Sequence, residues 1–269
     1  MTATTSDIPE IRRPDAAGGP AATDRVPATR LIGVELRKLV DTRAGAWLLV
    51  LIALVTAANV IVYLFATDAS GLTFEHFVDA TVLPQSVLLP VLGIMAVTTE
   101  WTQRTSLVTH TLEPGRRRVV AAKFAATAVL GFLAVVLAYA VAAVANILGA
   151  ALRHGDGSWA YGAGDLRDTA LLQLLCLVQG LAFGMLLMNT AAAIVLYFIA
   201  PGAVHLVFST VGSLKGSAAW FDLGASQAPL MDHSIAGIEW LQLLLTTTVL
   251  WRLLPLAAGM VRLLRREIK

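Results

Sequence analysis

The chain has 269 residues, of which 57% are hydrophobic and only 14% are charged, and its mean hydropathy is +0.73. An ordinary soluble domain is about half apolar and about a quarter charged, so this composition excludes a soluble globular protein and indicates a polytopic helical membrane protein. Six spans of about 20 residues each leave room for short loops and one tail, but not for a soluble catalytic domain. The formal net charge of +2 says little, because the positions of the charges matter more than their sum.

The N-terminal part of the chain divides into two segments. Residues 1–29 mix Pro, Gly, Thr, Ala and scattered charges without helical periodicity, and they lack the apolar core of a secretory signal. We expect them to form a disordered cytoplasmic tail, because they bury too little apolar area to offset the entropy of ordering. In residues 30–43, Ile32, Leu36 and Leu39 fall on one helical face. This pattern predicts a basic amphipathic helix in the membrane interface; the alternative is the frayed start of the first span.

Apolar runs predict six transmembrane helices, at about 46–66, 82–97, 121–148, 170–188, 191–208 and 237–260. Pro84 and Pro90 fall within the second span, where neighbouring helices can satisfy the freed carbonyl groups. The fourth and fifth spans are separate helices joined by a tight turn, because Met188-Asn189-Thr190 interrupts an apolar run about twice the length of one span. Residues 100–120 and 214–235 are the longer polar or amphiphilic connections.

The distribution of basic residues predicts the orientation. Seven Lys and Arg precede residue 44, five lie between 100 and 123, and four follow Met260, so 16 of the 20 lie on one side of a six-span arrangement. By the positive-inside rule that side is the cytoplasm. The expected fold is therefore all-α: six transmembrane helices, an N-terminal interfacial helix, and both termini in the cytoplasm.

Motifs for chemistry are missing from the sequence. No G-x-x-x-x-G-K-[ST] phosphate loop is present, and the nearest string, residues 212–217, has the wrong spacing. The five histidines are scattered, and the single cysteine, Cys176, lies in an apolar run and is interpreted as a small buried hydrophobe. We therefore expect a non-catalytic membrane subunit without a metal or cofactor site.

Arg252 is the one charged side chain well inside a predicted span. Ionisable groups at such depth often mark transport pathways, so Arg252 is a possible functional residue that lines a pore or pairs with another helix. The alternative is an arginine that snorkels to the interface or only pairs helices.

The stretch 100–123 is the most informative polar segment. Its arginines fit a positive-inside anchor, but the moderately apolar residues before the turn at Pro114-Gly115 are not explained by that role. Together with the segment before the first span, it resembles type-2 ABC exporter permeases. The resemblance rests on Glu35, Leu36, Arg37 and Lys38, and on an E…(R/G)T…P-x-R-R…K pattern formed by Glu100, Arg104, Thr105, Thr111, Leu112, Pro114, Arg116, Arg117 and Lys123. Many members carry glycine where this chain has Arg104.

The resemblance implies a permease that forms the translocation pathway for a hydrophobic or amphipathic substrate such as a drug, lipid or peptide. It implies two copies of a separate ATP-binding cassette ATPase, a second identical or different permease, and a lipid environment, with no nucleic acid. The implied ATPase-coupling residues are Glu35, Arg37, Lys38, Glu100, Arg104, Thr105, Pro114, Arg116 and Arg117, and 214–235 is implied to be an outer re-entrant segment.

The alternative function is a secondary transporter or a non-transporting polytopic anchor. Secondary transport is disfavoured because no predicted span carries a carboxylate near its centre. A composition rich in Ala, Val and Leu, with Arg favoured over Lys, is typical of a GC-rich bacterium, and the expected location is the bacterial plasma membrane.

Overall fold

The computed structural model of the protein describes residues 26–102 and 116–265. Within this part of the chain the regular structure is entirely helical. The α-helices are α1 (Ala28–Asp41), α2 (Arg43–Ala66), α3 (Phe74–Thr102), α4 (Arg116–Arg153), α5 (Ala163–Leu187), α6 (Thr190–Thr210), α7 (Ala218–Phe221), α8 (Leu223–Met231), α9 (Ile238–Gln242) and α10 (Leu254–Arg265). Two 3-10 turns, Ala69–Gly71 and Gly212–Ser217, and a π-helical segment, Leu243–Leu253, lie between them.

Six helices in the described residues are long and apolar enough to cross a membrane, as predicted. They are Arg43–Ala66, Phe74–Glu100, Arg118–Arg153, Ala163–Leu187, Thr190–Thr210 and Ile238–Leu263. Most extend beyond the predicted apolar runs, because polar residues at the ends of a span can still be helical. The largest extension is in α3, which begins at Phe74 and so includes Glu75 and Asp79, two acidic residues outside the predicted span 82–97.

Helices α3 and α5 form the centre of the bundle. In their most apolar windows 72% and 67% of residues are buried, against 11% for α6. Glycine permits their close approach: a Cβ on Gly93 would lie 2.5 Å from the carbonyl oxygen of Leu177, and one on Gly180 would overlap the carbonyl oxygen of Pro90. Main chains in contact make α3 and α5 a closely packed pair, around which the other helices are arranged.

The predicted turn between the fourth and fifth spans is confirmed. Helix α5 ends at Leu187, and Met188 adopts a left-handed conformation (φ 51°, ψ 27°). Asn189 then caps α6, since its Oδ1 accepts a hydrogen bond from the backbone N–H of Ala192 at 3.0 Å.

The connection before the last span folds into short helices, α7 and α8, after the 3-10 turn Gly212–Ser217. Trp251 in the π-helical segment contacts this connection, because its Nε1 donates a hydrogen bond to the carbonyl oxygen of Phe221 at 3.0 Å. Re-entry of residues 214–235 into the membrane stays a prediction.

Helix α1 is joined directly to α2. Thr42 ends α1 and caps α2, since its Oγ1 accepts from the backbone N–H of Gly45 at 3.2 Å. Helix α1 packs on α4 and α3 as well as α2. Its position in the membrane interface and the orientation of both termini stay predictions, and most of the predicted tail lies outside the described residues.

Candidate functional site

Helix α1 presents two side chains of opposite charge to the membrane helices. Glu35 and Lys38 are three residues apart, which places them on one helical face. Nζ of Lys38 donates to Oε1 of Glu35 at 2.7 Å. Glu35 and the neighbouring Leu39 are each only 6% exposed, so this face of α1 packs against the bundle.

Two residues of the membrane helices complete a cluster with Glu35 and Lys38, which we call the charge cluster. Glu100 lies near the end of α3, and Lys123 lies two turns into α4. Nζ of Lys123 is 2.6 Å from Oε2 of Glu35 and 3.1 Å from Oε1 of Glu100. Nζ of Lys38 donates to the same Oε1 of Glu100 at 2.6 Å. Each carboxylate therefore contacts both ammonium groups.

Three of the four members of the charge cluster, Glu35, Glu100 and Lys123, are buried, and the cluster connects three helices. Lys123 is 5% exposed and Glu100 7%. Nζ of Lys123 also donates to the carbonyl oxygen of Ala96 at 3.0 Å, so α4 is tied to the backbone of α3 as well as to the carboxylates. Removing one partner of a buried pair costs about 3–5 kcal/mol. The cluster therefore holds α1, α3 and α4 together at one end of the bundle.

Lys38 is the member of the charge cluster nearest to solvent, with 37% of its side chain exposed against 6% for Lys123. Burial by itself lowers the pKa of Lys38, but hydrogen bonds and Coulombic attraction to Glu100 and Glu35 outweigh burial and raise this pKa above its ordinary value. Lys38 is therefore a cation at neutral pH.

Apolar side chains lie beneath the charge cluster on its inner side. A cavity of about 20 Å³ there is lined by Glu100 and Lys123 together with Val97, Val120 and Met185, and it has roughly the volume that one water molecule needs. Apolar surroundings lower the local dielectric constant and strengthen the attraction between the four charges.

The structure brings together three of the predicted coupling residues, Glu35, Lys38 and Glu100, and adds Lys123. Arg37 lies on α1 away from them, and its side chain is exposed. Arg116 and Arg117 are the first residues of α4, and only their backbone is described. The remaining predicted residues lie outside the described ranges: Arg104, Thr105 and Pro114.

Lys123 was part of the quoted sequence pattern but was not predicted as a coupling residue. The available signal was its position: a lysine three residues into the predicted third span needs a partner or an exit to solvent. Its principal partner, Glu35, is 88 residues away in sequence, and no local spacing rule links residues so far apart.

Arg252 lies in the π-helical segment and is 1% exposed, so the snorkelling interpretation is wrong. Its Nε donates to the carbonyl oxygen of Leu175 in α5 at 2.6 Å, and its Nη1 donates to that of Thr247. Nη2 has no hydrogen-bond partner among the described residues. Arg252 thus connects the last span to α5 through its hydrogen bond to the carbonyl oxygen of Leu175.

Within residues 26–102 and 116–265, no three His, Cys, Asp or Glu side chains are grouped so that they could hold a metal ion. Cys176 is buried in α5. Comparison of the chain with protein-family models, curated proteins and solved structures found no match.

Proposed function

We propose that this chain is the permease subunit of an ATP-binding cassette exporter, which forms the pathway for a hydrophobic or amphipathic substrate and is driven by a separate ATPase. The observation that carries the proposal is the charge cluster. It joins α1 to the C-terminal end of α3 and to the N-terminal part of α4.

This arrangement supports the proposal because a motor outside the membrane can move transmembrane helices only through an ordered contact. Helix α1 contacts α3 through the part-buried ion pair of Lys38 with Glu100 and α4 through the buried ion pair of Glu35 with Lys123, in addition to apolar packing. A displacement of α1 by a bound ATPase would therefore move the ends of α3 and α4 with it. Under this proposal the charge cluster transmits motion and has no catalytic role.

The first experiment is affinity purification of the chain from its native host in mild detergent. We expect a soluble ATPase with a phosphate-binding loop to co-purify in stoichiometric amount. Arg37→Glu reverses an exposed charge on α1, and we expect at least about tenfold weaker ATPase association, since a charged hydrogen bond contributes about 1.5–3 kcal/mol.

Lys215→Glu is the matched control. Lys215 is also exposed, but it lies after the C-terminal end of α6, in the turn Gly212–Ser217, at the end of the bundle away from the charge cluster. It should leave ATPase association unchanged. Purification of the folded chain without any ATPase would contradict the proposal and favour the secondary-transporter or anchor alternative. Equal ATPase binding by wild type and Arg37→Glu would contradict the assignment of Arg37 to the contact.

A further inference from the structure

A groove runs between α2 and α4 in the half of the bundle opposite to the charge cluster. Its volume is about 370 Å³, and its lining consists of Ala, Val, Ile and Leu side chains only. The lining residues are Ala57, Val60, Ile61, Leu64, Ala140, Val141, Val144, Ala145 and Leu148. No polar side chain in this lining is available to bind a polar ligand.

The groove has a buried floor and exposed walls. Val60 and Leu64 are 6% and 5% exposed, whereas Ile61 and Val144 on the walls are 55% and 58% exposed. At about 1.5 Å per residue, the lining extends over roughly 10 Å of α2 and 12 Å of α4. This length falls within one leaflet, whose hydrocarbon layer is about half of the 30 Å core. The shape suits an extended hydrocarbon chain.

A basic side chain stands beside the groove where it approaches the membrane surface. Arg153 is the last residue of α4, five residues beyond Leu148. Its Nη1 and Nη2 donate to the carbonyl oxygens of Phe65 and Thr67 over 3.4 Å and 3.5 Å, which are long for such bonds. No carboxylate of the described residues forms an ion pair with Arg153. The guanidinium therefore keeps donors available for an anion.

We propose that this groove binds one acyl chain of an anionic phospholipid, whose phosphate is held by Arg153. An arginine fork matches a phosphate group in geometry and charge. The charge argues against a second copy of the chain as the occupant. A two-fold interface brings the same patch of both copies together, and it would bring the two Arg153 side chains towards each other.

The test uses purified full-length protein in nanodiscs of equimolar phosphatidylglycerol and phosphatidylcholine, with retained lipids identified by native mass spectrometry. Wild type should retain phosphatidylglycerol in preference to phosphatidylcholine. Arg153→Gln should reduce that preference about tenfold or more, the loss expected for one charge-assisted contact. Arg167→Gln is the control, because Arg167 already pairs with Asp168 at 2.7 Å, and it should keep the preference.

A second pair of variants tests the groove itself. Ala140→Phe fills the groove from an exposed lining position, and it should lower retention of both lipids. Ala58→Phe, at an exposed position of α2 outside the lining, should not. Undiminished lipid preference in Arg153→Gln, or equal retention by the two phenylalanine variants, would overturn the proposal. So would an Ala140→Cys variant in a Cys176→Ala background that cross-links efficiently to a second copy. The assay needs no ATPase and is independent of the proposed function.

Discussion

Substitution of Lys123 by methionine is the most direct test of the charge cluster. Methionine keeps an unbranched apolar stem of similar length but removes the ammonium group. In the native protein that group lies 2.6 Å from Oε2 of Glu35 and 3.1 Å from Oε1 of Glu100. The substitution leaves two carboxylates, 6% and 7% exposed, with one cation fewer.

The expected loss of stability in Lys123→Met follows from the burial of Lys123. Loss of one partner from a buried ion pair lowers the free energy of unfolding by about 3–5 kcal/mol, and here Glu35 and Glu100 would each keep a contact to Lys38 but lose one cation. Lys38→Met removes a charge from the same cluster, but 37% of the Lys38 side chain is exposed. Water can then solvate the vacated site, so we expect only about 1 kcal/mol for Lys38→Met. The free energies of unfolding of Lys123→Met and Lys38→Met should differ by at least about 2 kcal/mol.

The assay is reversible unfolding by sodium dodecyl sulfate in mixed micelles, followed by the fluorescence of the six tryptophans. Lys123→Met, Glu35→Gln and the double variant form a double-mutant cycle. The double variant should recover part of the stability lost in Lys123→Met, because it also removes the charge of the buried carboxylate that has lost its Lys123 partner. Equal costs for Lys123→Met and Lys38→Met, or strictly additive effects in the cycle, would show that the buried contact to Glu35 does not stabilise the protein.

Two further predictions use the same unfolding assay. Gly180→Ala should lower the free energy of unfolding by about 1–3 kcal/mol, because the added Cβ overlaps the carbonyl oxygen of Pro90. Gly164→Ala is the control and should be close to neutral, because Gly164 has open space around it. Equal effects of the two substitutions would contradict the close approach of α3 and α5. The free energy of unfolding of Arg252→Met should stay within about 1 kcal/mol of wild type, because an apolar residue of similar size can replace a buried charge. Arg252→Lys keeps the charge and should be less stable than Arg252→Met. A folded Arg252→Met variant that no longer supports export would indicate a transport role for the guanidinium.

The six helices could be predicted because apolar length is a local property of the sequence. Their ends were less predictable: Glu75 and Asp79 are acidic and follow a polar loop, yet both are helical in α3. A charge near the end of a span can reach water without leaving the helix, so charge alone does not mark where a helix begins.

The charge cluster was predictable in part. Glu35, Lys38 and Glu100 were functional candidates because they belong to the pattern that resembles type-2 ABC exporter permeases, and their spacing alone did not mark them. The contact of Glu35 with Lys123 depends on how α1 packs against α4, which no spacing rule specifies. The same reason explains Arg252: its depth in the span could be read from the sequence, but its partner, the carbonyl of Leu175, depends on helix packing.

The short turn between α5 and α6 has a consequence for membrane insertion. Met188 and Asn189 leave no room for a basic residue in the turn itself, so the positive-inside rule has no local charge to act on there. A basic residue of another helix contacts the C-terminal end of α5, because Nη1 of Arg262 in α10 donates to the carbonyl oxygen of Leu186 at 2.8 Å. Arg262 lies 76 residues beyond Leu186 in the sequence, so the positive charge that flanks this turn comes from a distant part of the chain. A nascent chain that stops before Arg262 would lack that contact, and the topology of the hairpin would depend on the preceding helices alone.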